Sequence, residues 1–235
     1  MSQSRPVSVN STIEDMQAER NSLEAFASDR ARDFVGRQPV IARVTELCTS
    51  PAKALSPTRE GPPWGICITG DPGSGKSALF GELLRRVRET DAFVLAHAAG
   101  ATPQASSVDA MLRRWISELG SALGVGDVDL AANIEPEIVE RAFASLLARM
   151  SLQRRVVILI DAIDRFNKTV RGKFTTWLPR PWPINTRLVA TGIAGGASKA
   201  LAERSGVESL TLPPLDATEA RGIIDTFIKR HRSKI

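Results

Sequence analysis

The sequence predicts an α/β fold in which a doubly wound parallel sheet is flanked by helices, and three observations predict it. The apolar run Trp64-Gly-Ile-Cys-Ile-Thr69 leads straight into a glycine-rich turn and then into apolar residues at helical spacing. A second run, Val156-Val-Ile-Leu-Ile160, is continuous and β-branched, as strands buried on both faces are. Elsewhere, segments with apolar residues every three or four positions alternate with short apolar runs, the pattern of parallel strands joined by crossover helices.

In chain order, residues 1–10 are polar and expected to fray. Ser11-Thr-Ile-Glu14 has the form of a capping box, opening an amphipathic helix with Ile13, Met16, Leu23 and Phe26 near one stripe, expected to serve as a linker. A short helix is predicted near Pro39 to Cys48, then a loop rich in Ser and Pro from Thr49 to Pro63. After the strand at 64–69 and its turn, a helix buries Leu79, Phe80, Leu83, Leu84 and Val87, and Phe93 to Ala98 forms the next strand. Ser106-Ser-Val-Asp109 caps a helix with Met111, Leu112, Trp115, Ile116 and Leu119 inside. Pro136 opens another, with Ile138, Val139, Phe143, Leu146, Leu147 and Met150 on its apolar face. Strands at 156–160, 187–191 and 208–212 follow, with a short helix near Lys199 to Arg204; Asp216-Ala-Thr-Glu219 caps a last helix carrying Ala220, Ile223, Ile224, Phe227 and Ile228. No internal repeat is visible.

With 235 residues, 43% hydrophobic and 24% charged, the composition is that of a globular protein rather than a disordered chain. No apolar run approaches the roughly 20 residues that cross a bilayer, and the N-terminus lacks a signal-peptide core, so a cytoplasmic location with no membrane partner is expected. Cys48 and Cys67 lie in apolar-periodic segments without metal-ligand spacing and read as buried free thiols. His97 and His231 have no partners at ligand or triad spacing. The net charge of +5 is spread along the chain and does not by itself indicate nucleic acid.

Chemistry concentrates in Gly70-Asp71-Pro72-Gly73-Ser74-Gly75-Lys76-Ser77, which fits G-x-x-x-x-G-K-[ST] at every fixed position and stands between a strand and a helix beginning near Gly75. Glycines let backbone N–H groups turn around phosphate oxygens, Lys76 reaches the β- and γ-phosphates, and Ser77 offers a hydroxyl to Mg²⁺; Ala78 follows at the helix start. The alternative is a chance glycine turn. Asp161, ending the apolar strand, stands where the second Mg²⁺-holding group of such a site belongs, against a plain helix-cap or turn aspartate. Asp164, three residues on, is a candidate general base, against a solvated surface acid. Lys76, Asp161 and Asp164 form the candidate catalytic set, Ser77 and Asp161 the candidate metal ligands.

These residues together resemble the STAND class of signal-transducing P-loop ATPases, in particular the NACHT-like domains of the telomerase-associated and nephrocystin type. Asp33-Phe-Val-Gly-Arg37 looks like the family's F-V-G-R segment, which implies that Phe34, Val35, Gly36 and Arg37 lie over adenine and ribose. The order continues with the phosphate loop, His97-Ala-Ala-Gly100 and Met111-Leu-Arg-Arg114, then Asp161-Ala-Ile-Asp164. AAA+ motors usually place Glu directly after the metal-binding Asp, whereas Ala162 stands there, as in STAND proteins. The family's sensor arginine, commonly in T-S-R, is missing, since Thr191 is followed by Gly192 and Ile193 and Arg187 opens the strand. Leu212-Pro-Pro-Leu215 looks like the passage into a helical lid over the base, which brings Pro214 to the nucleotide.

The resemblance implies ATP and ADP with Mg²⁺ as cofactors, slow hydrolysis, self-association in the ATP state, and effector and sensor domains in a larger protein. It divides the chain into a linker helix (1–30), a nucleotide-binding domain (31–213) and the start of a lid (214–235). ATP is favoured over GTP because no guanine-reading N-K-x-D is present. The rivals are an AAA+ ATPase of the origin-recognition type acting on DNA and a phosphotransferase on the same fold. Between Asp164 and Glu203 lie seven cations and no acid, with Trp177 and Trp182 among them. The segment reads first as a solvated face with core tryptophans, next as a subunit interface, and last as a nucleic-acid surface with stacking bases.

Overall fold

The computed structural model describes residues 9–50, 63–102, 104–126, 130–131 and 133–232. Most of the expected loop at 49–63 and the polar N-terminal residues therefore lie outside the described residues. Thirteen elements follow in order: α1 (Val9–Ala31), α2 (Gln38–Thr49), β1 (Gly65–Thr69), α3 (Lys76–Arg88), β2 (Phe93–Ala98), α4 (Val108–Ala122), α5 (Pro136–Gln153), β3 (Val156–Asp161), α6 (Val170–Lys173), β4 (Thr186–Gly192), α7 (Gly196–Ala202), β5 (Val207–Thr211) and α8 (Ala217–Arg232). The five strands form one parallel sheet in the order β2-β3-β4-β1-β5.

Side-chain alternation along the strands divides the core in two. Val156, Ile158 and Ile160 face a cluster with Met111, Trp115 and Leu119 of α4, Phe143 and Leu147 of α5, and Leu201 of α7. Val157 and Leu159 face the opposite cluster, with Ile41 and Val44 of α2, Leu79, Phe80 and Leu83 of α3, and Leu23 and Ala27 of α1. A strand buried on both faces explains why β3 is uninterrupted in its apolarity. The α/β doubly wound parallel fold is thus the one the sequence predicts. Cys48 and Cys67 are free and buried, and burial pushes each thiol up to about 12, so neither carries a reactive thiolate.

Local differences have local causes. The first helix begins at Val9, so Ser11 lies inside its first turn rather than ahead of it. That helix also does more than link: it lies along α3, buries Leu23 and Ala27, and pairs Glu19 with Arg114 (3.2 Å) and Arg20 with Glu118 (3.0 Å). The cap of α4 is Ser107, not Ser106, its hydroxyl accepting the Ala110 amide at 3.2 Å. Ile138 is 39% exposed, because the buried stripe of α5 runs through Val139, Phe143, Leu146 and Met150 and Ile138 sits about 100° away from it. On α8 the Asp216–Glu219 box forms as expected, yet Ile224, Phe227 and Ile228 are exposed.

His97 is buried at the end of β2. Its Nε2 lies 2.6 Å from the Ala105 carbonyl, its Nδ1 lies 3.2 Å from the Arg114 guanidinium, and its ring stacks on Phe166 with centroids 5.7 Å apart. Burial, reinforced by Arg114, pushes its pKa down to about 3. The unfolded chain takes up a proton near pH 6.5 and the folded chain does not, so stability is lost as pH falls below 6.5. Urea titrations should show a loss of about 1.5–2 kcal/mol between pH 6.5 and 5 that is absent in His97→Gln.

Where α1 crosses α3, a Cβ on Gly81 would lie 2.5 Å from the Ala27 carbonyl oxygen and 3.1 Å from the Ala31 nitrogen. Helix propensity alone favours Gly81→Ala by up to about 1 kcal/mol. The close approach reverses the sign. We expect Gly81→Ala to lower unfolding free energy by about 1–3 kcal/mol and to hasten proteolysis within α1; a stabilised variant would show that the two helices part without cost.

Candidate nucleotide-binding site

Strand β1 leaves the sheet at its C-terminal edge, and residues 70–75 turn the chain into α3. Gly73 and Gly75 hold φ of +83° and +90°, and a Cβ on either would meet nothing within 4 Å. Their requirement is conformational rather than steric: only glycine adopts two left-handed steps here without strain, and the turn aims successive N–H groups inward. Gly75 is the N-terminal cap of α3, so the free amides of the helix's first turn open into the same loop. Lys76 Nζ donates to the carbonyls of Gly70 and Asp71, both at 2.8 Å, which places its ammonium across the loop.

Asp161 ends β3, only 2% exposed. Ser77 Oγ donates to its Oδ2 at 2.7 Å and Thr191 Oγ1 donates to its Oδ1. Burial raises the Asp161 carboxyl above the ordinary carboxylate range, against the two hydroxyl bonds and the charge of Lys76. Ser77 and Asp161 form a compact pair of hard oxygen donors that fits Mg²⁺. Among the described residues no group of three or more His, Cys, Asp and Glu could hold a metal ion.

The neighbours of Asp161 are less expected. Ala162 takes φ 57°, a left-handed conformation costly for a residue with a Cβ, and its amide donates to Thr191 Oγ1 at 3.3 Å. Asp164 is neither a free surface acid nor aligned by another side chain: its Oδ1 accepts the Ile193 amide at 3.0 Å, tying the turn after β3 to the end of β4. Arg187, buried at the opposite end of β4, donates to the Ile184 and Thr186 carbonyls and does not reach the phosphate loop. Thr191 is the site residue that the sequence reading missed. Its signal is the register, in which Ile160 pairs with Ala190 so that Asp161 and Thr191 come next on adjacent strands.

Beside the loop opens a cavity of about 260 Å³, lined by Phe34, Val35, Arg37, Ala78, Leu215 and Ile223 together with Asp29, Arg30, Asp33, Ser74 and Gly75. The F-V-G-R segment and the start of α3 therefore do meet, and Leu215, not Pro214, comes from the passage before α8. Arg37 is 5% exposed and left-handed at φ 60°. Its guanidinium donates to the Ser74 carbonyl at 3.0 Å, and its amide donates to Glu219 of α8 at 2.8 Å. Arg230 of α8 pairs with Asp33 at 2.5 Å. Residues 33–37 thus touch both the phosphate loop and the last helix.

The cationic segment separates into distinct groups. Trp177 and Trp182 are buried, and Trp182 stacks on Trp64 at 4.2 Å, so neither offers a face to a base. Arg171 pairs with Glu140 at 2.7 Å and Lys199 with Glu203 at 3.8 Å. Among the described residues, the exposed cations whose side chains make no hydrogen bond or ion pair include Arg165 and Lys168, on the turn after β3.

Comparison with known proteins agrees with this geometry. A TPR repeat-containing protein of Dictyostelium discoideum is 22% identical over 205 residues, covering 72% of this chain and 12% of its own length. The chain therefore spans about an eighth of that relative. Among solved structures, the Aeropyrum pernix ORC1 protein in complex with DNA is similar at TM-score 0.57 and 23% identity, over 84% of this chain and 50% of that one. Drosophila ORC bound to DNA is similar at TM-score 0.56 and 17% identity, over 90% and 51%. These likenesses show the fold. The family of the AAA ATPase domain matches residues 33–172, more than half of the sequence, and the chain belongs to that family.

Proposed function

We propose that this chain is the nucleotide-operated switch module of a larger protein, a STAND- or NACHT-type ATPase domain that binds ATP or ADP with Mg²⁺ and hydrolyses ATP slowly. The observation that carries the reading is the path Ser74–Arg37–Glu219, which joins the phosphate loop to α8 through one buried arginine. Lys76 and the loop amides take the phosphates, and the cavity beside Phe34, Val35 and Ile223 takes the base. Ser77 and Asp161 would hold Mg²⁺, which when bound neutralises charge on the β- and γ-phosphates. Slow turnover fits the residues: Ala162 carries no base directly after Asp161, and Asp164 is pinned to the Ile193 amide.

The domain division follows the same reading, with nucleotide-binding residues 31–213 and a lid from 214. The exposed Ile224, Phe227 and Ile228 suit a lid helix that meets further domains, and the repeat-bearing Dictyostelium relative supports a multidomain setting. Self-association in the ATP state belongs to this proposal. A second reading, an AAA+ ATPase acting on DNA, is favoured by the two solved origin-recognition structures, and buried Trp177 and Trp182 remove its base-stacking version.

Two measurements test the site and its use. Lys76→Ala should weaken nucleotide binding roughly 10- to 100-fold, the worth of hydrogen bonds from a charged group, while leaving the circular dichroism spectrum unchanged; unaltered affinity would contradict the site. Denaturing the purified protein and identifying the released nucleotide by ion exchange should give close to stoichiometric ADP. Empty protein with brisk, DNA-stimulated turnover would transfer the assignment to the second reading.

A further inference from the structure

A second cavity, of about 280 Å³, opens on the same edge of the sheet as the phosphate loop, between the loop after β2 and the turn after β3. One wall is Ala99, Gly100, Ala101, Thr102 and Ser106, so it presents backbone, methyl groups and hydroxyls. The other wall is Arg165 and Lys168. No acid lines it. Arg165 and Lys168 stand three residues apart on the 3₁₀ turn 163–168, where side chains at i and i+3 eclipse. Two like charges on one wall of a cavity that no carboxylate lines repel each other, and an anion bound between them relieves that repulsion. Neither side chain has a hydrogen-bond or ion-pair partner among the described residues.

The cavity is also preformed. His97 binds the Ala105 carbonyl beside one wall and stacks on Phe166, within the turn that forms the other. The Ala99 amide donates to the Asp161 carbonyl at 3.0 Å, fixing the first wall to the strand that carries the metal-site aspartate. A buried neutral ring thus holds both walls apart at a set distance, which gives His97 a role that the nucleotide site does not use.

We propose that this cavity binds phosphate groups other than those of the P-loop nucleotide, either the phosphodiesters of a nucleic-acid strand or a free polyphosphate. The proposal goes beyond the switch reading and does not depend on it. The double cation supplies the charge, and the small-residue wall lets phosphate oxygens approach the backbone closely and reach the Thr102 hydroxyl, which accepts the Ala105 amide and keeps its own proton to donate.

The test uses the full chain saturated with ADP, so that the P-loop is filled, and a fluorescent ADP analogue reports that site separately. Wild-type protein is titrated with labelled single-stranded and duplex DNA of about 20 nucleotides, and with pyrophosphate by calorimetry, at about 50 to 200 mM salt. The double variant Arg165→Ala/Lys168→Ala should bind whichever phosphate probe the wild type binds at least tenfold more weakly. For duplex DNA its salt slope should be smaller by nearly 2, and for a single strand by about 1.4. Binding of the ADP analogue should be unchanged, and its loss in wild type would count against the P-loop reading instead. DNA binding identifies a strand as the source; pyrophosphate binding without DNA identifies a free anion. The proposal is overturned if the double variant keeps wild-type affinity and slope, or if wild type binds neither probe once ADP fills the P-loop.

Discussion

The burial of Asp161 is the constraint around which the site is arranged. A carboxylate 2% exposed is costly unless its oxygens are hydrogen-bonded, and both are, by hydroxyls from different elements. Ser77 comes from the start of α3 and Thr191 from the end of β4, so satisfying one side chain fixes the phosphate loop, β3 and β4 relative to one another. The left-handed Ala162 follows from the same demand. The chain must turn sharply after Asp161 while its next amide stays within reach of Thr191, and local strain of about 1–2 kcal/mol is offset by the bonds it permits.

Strand positions and the phosphate loop were legible because their signals are local. A continuous apolar run names a central strand, and a glycine motif between strand and helix names a phosphate cradle whatever the rest of the chain does. Helix caps were legible to within a residue, Ser107 against Ser106, since neighbouring serines offer equivalent oxygens and packing selects between them. Thr191 was not legible in that way. Its role depends on the lateral register of β3 and β4, which joins residues thirty positions apart, and no local pattern marks that hydroxyl. Glu219 was read only as a helix cap, and its second use, on the Arg37 amide, spans 182 residues.

The cationic segment shows the same limit from the other side. In one dimension seven cations and two tryptophans look like a single surface. In three dimensions Arg187 serves its own strand end, Arg171 meets Glu140 of α5, Lys199 meets Glu203 at the end of its own helix, and the tryptophans fill the core. Charge along a sequence counts residues, whereas an electrostatic surface depends on which of them remain unpaired.

Rigid and movable parts of the molecule differ in what holds them. The sheet and its two helical layers are joined by continuous buried apolar surface, which yields only by unfolding. Helix α8 is joined to residues 33–37 by the partly exposed Arg230–Asp33 pair, by Glu219 on the Arg37 amide and guanidinium, and by Val35 packed on Gly222. An exposed pair contributes about 1 kcal/mol or less, and a hydrogen bond to a charged group about 1.5–3 kcal/mol. A ligand bound at micromolar strength carries about 8 kcal/mol, although only the difference in its affinity for two arrangements can move the balance between them. On the proposed switch reading, a nucleotide-dependent difference of a few kcal/mol would suffice to reorient α8 and leave the sheet unchanged. Among the described residues, Arg37 hydrogen-bonds both to the phosphate loop and to that helix, so on the same reading it is where a change at the loop would reach α8.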